Sequence, residues 1–429
     1  MRAVKNYPPA IRNALRTITV AQCTGQLSGV LFGNGFMLAY FLRQNIQDYY
    51  ILFLFSLIPL ISMLFTVPFS LLSDRIGKKR IGGSGIGFSA FGLLILLCAP
   101  FVPESAKLCI TAGIIFYAGG TAATGSSWFA LLSPIVPAEI RGRWFGQMRM
   151  TFQTVGVIFS LLIAALLRRC TSISLFQTVL LFGALTMIVR IFIYWKIPEL
   201  EPPAKNRIQF SAALRGIIRI PGYISFCSYI FLFSVITGAI PNLAGLLQRE
   251  FLGFSDSLLV VMGNLLTAGT IIGFALGGKM VDRAGTHPVF LTAHIIIPLT
   301  LAAMLLRGFL PVPAIAIGTG IFIYGSMQGA FGIAGTSELL ALIPPENKSF
   351  TTGINLTLGA AGVTLSNILS GQLLRHNMLH AEWILFGNRM SAYDTILAVL
   401  MILIALLAVT LGLVPVIRHI RSQWLPQNR

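Results

Sequence analysis

Twelve apolar runs of about 20 residues each, the length that crosses a ~30 Å hydrocarbon core, follow one another along this chain. They fall at about 17–41, 49–72, 82–100, 107–134, 146–167, 173–195, 223–247, 257–280, 288–307, 313–343, 352–374 and 392–417. No water is present inside a bilayer to satisfy backbone N–H and C=O groups, so such runs fold as helices. Only 10% of the 429 residues are charged, against about 25% in a soluble domain, so most of the surface faces lipid. The expected fold class is therefore an all-α membrane protein with twelve transmembrane helices.

A charged knot, Ser70-Leu-Leu-Ser-Asp74-Arg75-Ile-Gly77-Lys78-Lys79-Arg80, separates the second and third runs, and it returns as Gly278-Lys-Met-Val-Asp282-Arg283-Ala-Gly285. An offset of 208 pairs Asp74 with Asp282, Arg75 with Arg283, Gly77 with Gly285, Asn34 with Asn242 and Asp48 with Asp256. An offset of 207 pairs Tyr117 with Tyr324, Pro137 with Pro344 and Glu139 with Glu346. Self-similarity at a fixed period marks a duplicated architecture. Two six-helix bundles of the same orientation imply a pseudo-twofold axis along the membrane normal. The expected divisions are an N-terminal bundle at 1–195, a cytoplasmic linker at 196–222 and a C-terminal bundle at 223–429. In the linker, Arg207–Arg219 interleaves isoleucines with arginines and reads as an amphipathic piece on the inner membrane face.

The net charge of +18 would suggest nucleic acid on a soluble domain, but its placement points elsewhere. Of the 31 Lys and Arg residues, eight fall in alternate loops: Arg43, Lys107, Arg168, Arg169, Arg249, Arg307, Arg375 and Arg389. Arg190 lies inside an apolar run, and the remaining 22 share the side of the N-terminus. Cytoplasmic loops keep cations, so both termini are expected in the cytoplasm of an inner-membrane protein whose basic face meets anionic headgroups. The partner is the lipid bilayer, with no nucleic acid. The five cysteines are odd in number and scattered, and read as packing residues. No catalytic triad, P-loop, paired catalytic carboxylates or Cys/His framework occurs, so neither an enzyme, a cofactor nor a metal is expected.

Gly77 and Gly285 stand where a helix leaves the membrane and a tight turn is needed. Asp74 and Asp282, with Arg75 and Arg283, are candidate gating residues, because a carboxylate there can dock on a neighbouring helix N-terminus. Within the fourth run Tyr117, Thr121, Thr124 and Trp128 share one helical face, and the tenth run places Tyr324, Gln328, Phe331 and Glu338 on the matching stripe. Gln22, Gln26 and Asn34 in the first run, Gln153 in the fifth and Asn242 in the seventh add polar groups. Each alone reads equally well as an interhelical hydrogen bond. Together they suggest a solute site near the bilayer midplane. Glu338 is the candidate intramembrane proton acceptor, or else a salt-bridge partner of Arg149. Small-residue stripes at Gly156/Ser160/Ala164, Gly269/Gly273/Gly277, Ser62/Thr66/Ser70 and Gly362/Ser366/Ser370 let helices approach closely and are expected where the two halves meet.

The loop after the second run resembles the G-x-L-x-D-R-x-G-R-K signature of the major facilitator superfamily, with Ser70 in place of the opening glycine and Lys78-Lys79 for R-K. The resemblance covers nearly the whole chain. It implies alternating access, with the first, fourth, seventh and tenth helices lining a central cavity. Pro137-Ala-Glu139-Ile-Arg141-Gly142 resembles the P-x-x-x-R-G loop of sugar porters in that superfamily, and Pro198-Glu199 the start of their P-E-[ST]. Pro134 stands where those porters carry an acid, and their C-terminal P-E-T is missing. The implied function is transport of a small polar organic solute, sugar-like first, by a monomer that uses a proton or a sodium ion if it is coupled. Efflux of drug-like or amphipathic compounds, and a non-transporting membrane receptor on the same scaffold, are the alternatives.

Overall fold

The computed structural model describes residues 8–132, 134–136, 141–200, 220–309, 312–342, 348–376, 378–379 and 382–410. Glu139 and the amphipathic segment 207–219 lie outside them, as do the side chains of Asp74, Arg141 and Asp282. The helices are α1 (Pro9–Gly33), α2 (Phe36–Arg43), α3 (Asp48–Ile76), α4 (Lys78–Cys98), α5 (Ala106–Leu132), α6 (Arg141–Arg169) and α7 (Ile173–Tyr194). They continue as α8 (Tyr223–Thr237), α9 (Ile240–Leu246), α10 (Asp256–Ala284), α11 (Thr286–Leu305), α12 (Pro313–Leu342), α13 (Lys348–Arg375) and α14 (Ala392–Thr410).

Among the described residues, ten helical spans are long and apolar enough to cross a membrane. The first and eleventh expected runs are not among them. The first breaks at Asn34 and Gly35, where Gly35 takes φ +81°. There the Asn34 Oδ1 accepts the Phe36 N–H at 3.1 Å, while its Nδ2 donates to Ser160 Oγ at 2.5 Å. The eleventh, α13, is unbroken but carries Asn355, Asn367 and Gln372. The seventh run also breaks, between α8 and α9. Pro241 stands in the first turn of α9, and the Ala239 N–H is taken by Ser366 Oγ at 2.9 Å. Interrupted helices of this kind free backbone groups inside a membrane protein, and neighbouring side chains satisfy them.

The chain forms two compact units. One collects the described residues of Met1–Gln47, Leu57–Arg207 and Ser255–Val260, and the other those of Asp48–Ser56, Ile208–Phe254 and Val261–Arg429. In the first unit α1 packs on α6 and α7, and α4 on α5 and α7. Arg43 there grips Asp256, the first residue of α10, through Nε and Nη2 at 3.0 and 2.9 Å. In the second unit α11 packs on α12 and α14, and α8 on α13. Asp48, the repeat partner of Asp256, accepts the Tyr393 hydroxyl in that unit. The second unit also holds a buried ion pair: Arg307 donates to both oxygens of Asp394, at 2.6 and 2.9 Å.

Glycines of three of these stripes close helix pairs inside a unit. A Cβ at Gly269, Gly273 or Gly277 of α10 would strike Phe322, Ser326 or Ala330 of α12. Gly362 of α13 touches Phe231 and Ser234 of α8, and Gly156 of α6 touches Gln26 of α1. Spacing along one helix locates a smooth face and says nothing of which neighbour lies on it. The all-α expectation also needs one amendment, an antiparallel hairpin of β1 (Glu382–Leu385) and β2 (Asn388–Ser391). Phe386 and Gly387 turn it with φ of +48° and +84°, the two positive values of the favoured two-residue hairpin turn.

Candidate functional site

In the first unit the polar groups gather around a residue to which sequence reasoning gives no role. Arg190 of α7 is only 9% exposed, and its Nη2 donates to Gln22 Oε1 on α1 at 3.0 Å. A Cβ on Gly25, one turn along α1, would come within 2.5 Å of the guanidinium carbon; the missing side chain makes the room. Tyr117 is buried nearby, its ring stacked on Phe32 at 4.1 Å. Trp128 stacks on Tyr194 at 6.1 Å.

The shared face of α5 is therefore divided among neighbours. Thr124 donates to its own helix at Gly120 O (2.9 Å) and across to Gly82 O of α4 (3.2 Å). Thr121 donates to Ala118 O at 2.8 Å. Asn34 has both ends of its amide engaged at the helix break described above. Gln26 and Gln153 are half-buried, and Arg149 is exposed.

The second unit contains a cavity of about 340 Å³ whose lining includes Phe233, Thr237, Pro241, Thr270, Tyr324, Gln328 and Phe331. Phe331 lies face to face on Phe233, with centroids 3.7 Å apart and planes 8° apart, and edge-on to Phe290 at 5.0 Å. Tyr324 donates to Thr237 O at 2.9 Å, and Gln328 Nε2 donates to the Tyr324 hydroxyl at 2.7 Å. The sequence-matched residues Tyr324, Gln328 and Phe331 thus meet in one place. Asn242 instead pairs with Asn367 at 2.8 Å. His294 is buried behind the aromatic wall, its Nδ1 at 2.8 Å from Phe290 O.

The repeated turns have one detail in common. Gly77 and Gly285 take φ of +118° and +84° and open α4 and α11, as the tight-turn expectation requires. A carboxylate meets each of these helix starts. Glu199 accepts the Lys78 N–H at 2.7 Å in the first unit. In the second, Glu338 accepts the hydroxyl of Thr286, the first residue of α11, at 2.5 Å. Negative charge is stabilised at a helix N-terminus by its free N–H groups and dipole. The described carboxylate on α4 is thus Glu199, from the chain after α7, while Glu338 is fully buried and, among the described residues, is bonded to Thr286 and to no cation. Arg75 and Arg283 are exposed. Among the described residues no cluster of His, Cys, Asp and Glu is fit to hold a metal.

Apolar spans, two compact units and buried polar groups inside each define a multi-pass membrane protein. The Major Facilitator Superfamily family model matches residues 23–367. The chain belongs to that superfamily and is a membrane transporter of its type. It is 20% identical over 342 residues to the MFS transporter asaE of Aspergillus flavus, covering 76% of this chain and 69% of that protein. Among solved structures it is similar in fold to the nucleoside transporter NupG, with TM-score 0.69, 14% identity, and 94% and 99% of the two chains covered. A bacterial homologue of the iron transporter ferroportin in an inward-facing state matches with TM-score 0.69, 12% identity, and 97% and 99% coverage. A POT family transporter in complex with 5-aminolevulinic acid matches with TM-score 0.71, 13% identity, and 94% and 96% coverage.

Proposed function

We propose that the protein carries a small polar organic solute across the membrane by alternating access, with a sugar-like ring compound as the preferred class. The cavity of the second unit carries this reading. Its volume of about 340 Å³ lies at the small end of ligand pockets, which run from about 300 to 1,000 Å³ with mostly apolar walls and a few placed polar groups. The Phe233–Phe331 stack offers a flat apolar wall, and the Gln328 amide, using one N–H on Tyr324, keeps hydrogen-bonding capacity for ring hydroxyls. A nucleoside, the solute named for one of the similar structures, presents the same combination of ring face and hydroxyls.

In this reading twelve helices form two six-helix bundles at 1–195 and 223–429, and the protein is a monomer in the inner membrane with both termini cytoplasmic. The turns carrying Asp74, Arg75, Asp282 and Arg283 gate the inner side. Glu338, held by Thr286, is the candidate proton carrier if transport is coupled.

Uptake into proteoliposomes of purified protein, across a panel of radiolabelled sugars, nucleosides and amino acids with and without proton and sodium gradients, tests the proposal. Saturable accumulation or counterflow of at least one ring solute is the expected result. Movement of only lipophilic cations and dyes would favour the drug-efflux reading, and no movement of any compound would favour a receptor.

A further inference from the structure

Among the described residues, Arg190 is a buried cation without a counter-ion. Its side chain is tucked between α7 and α1, over the gap left by Gly25. A guanidinium has five N–H donors. Here one goes to Gln22 Oε1 at 3.0 Å, one lies 3.9 Å from the weak acceptor Met187 Sδ, and the buried Nε has no hydrogen-bond partner. The first 195 residues contain only four carboxylates, Asp48, Asp74, Glu104 and Glu139. Asp48 and Asp74 stand at the two ends of α3, and Glu104 lies in the loop before α5. The next acid along, Glu199, is spent on the start of α4.

Burying an unpaired charge costs several kcal/mol, and intramembrane cations persist where they pair or serve a transported species. The neighbours given to Arg190, namely an amide oxygen, the tyrosines Tyr117 and Tyr194 and a glycine gap, shield the charge without neutralising it. We infer that Arg190 recognises an anionic group on the solute, a carboxylate or a phosphate monoester, whose oxygens take the guanidinium donors that the protein leaves over. Arginine suits this because its planar fork binds both groups bidentately. Gln22 then acts as a positioning residue that holds the fork. The inference rests on the transport reading above and makes Arg190 a recognition point within the first unit for solutes that are acids or phosphate esters.

The test uses full-length protein in proteoliposomes and matched probes on one ring: glucose, glucuronate and glucose 6-phosphate, with adenosine and AMP as a second set. Counterflow and competition are measured for wild type, Arg190→Gln, Arg190→Lys and Gln22→Glu, with the melting temperature of each protein taken in detergent. At least one anionic probe is expected to compete about tenfold or more better than its neutral parent on wild type. That preference should vanish in Arg190→Gln and survive in part in Arg190→Lys. In Gln22→Glu it should also vanish while the melting temperature rises, because the new carboxylate supplies the missing counter-ion internally. Whether glucuronate or the phosphate esters compete separates carboxylate from phosphate recognition. Transport of neutral and anionic probes with equal preference, or a preference unchanged in a folded Arg190→Gln protein, overturns the inference and leaves the transport reading standing. No transport of any probe by wild type overturns both.

Discussion

Replacing Asp394 by alanine is expected to cost the second unit about 3–5 kcal/mol, the usual penalty for breaking a buried ion pair from one side. Both Asp394 oxygens receive Arg307 N–H groups, and Oδ2 also accepts the Ser391 N–H and hydroxyl, each at 2.8 Å. The aspartate therefore serves twice, as counter-ion to the end of the ninth transmembrane run and as the acidic member of a capping box that starts α14. Its loss strands the guanidinium of Arg307, whose side chain is 4% exposed. Removing both charges, as in Arg307→Met with Asp394→Ala, is expected to recover a large part of the loss, since no charge is then left unpaired. Melting temperatures of the two single variants and the double variant in detergent measure the effect. A double variant as unstable as the sum of the singles would show that the pair is not what holds the two segments together.

Gly273→Leu is expected to be nearly as damaging by a different route. The Gly269/Gly273/Gly277 stripe lets α10 lie with its backbone directly on that of α12, and a Cβ at Gly273 would collide with the Ser326 carbonyl. The obstacle is main chain, which has no rotamer to move to, so the helices must part and the contacts along the stripe go with them. Overpacking of this kind costs about 1–3 kcal/mol and sometimes more. Because Tyr324, Gln328 and Phe331 sit on α12, the cavity should open and lose affinity as well. Gly278→Leu is the control, because nothing lies within 4 Å of a Cβ at that position. Equal melting temperatures for the Gly273 and Gly278 variants would show that the stripe is not a close contact.

The level of description legible in the sequence follows from which forces are local. Hydropathy and charge placement act residue by residue, so most of the helical runs and the turn glycines Gly77 and Gly285 can be read directly. The matched stripe of Tyr324, Gln328 and Phe331 is also legible, because a helical face is set by spacing alone. What lies opposite a face is a tertiary matter. Spacing thus does not show the bond from Thr124 to Gly82 of α4, and it sends the glycine stripe of α10 to the wrong neighbour.

Arg190 is visible as a cation inside an apolar run, yet its meaning depends on Gly25 and Gln22, 165 and 168 positions away along the chain. Ser391-Ala-Tyr-Asp394 is a capping-box pattern whose signal is local and readable, though it lies next to a hairpin that hydropathy does not reveal. The role of Glu199 has no comparable signal, because it meets a helix start 121 residues earlier.

Equilibrium binding of a transported solute to Gln328→Ala and Phe331→Leu protein tests most directly whether the cavity of the second unit holds the cargo. Loss of one neutral hydrogen bond is worth about 0.5–1.5 kcal/mol, and loss of an aromatic stacking partner a similar amount. Each variant should therefore bind up to about tenfold more weakly, with the melting temperature showing that it is folded. Affinities unchanged in both folded variants would contradict the assignment and place the solute elsewhere in the protein.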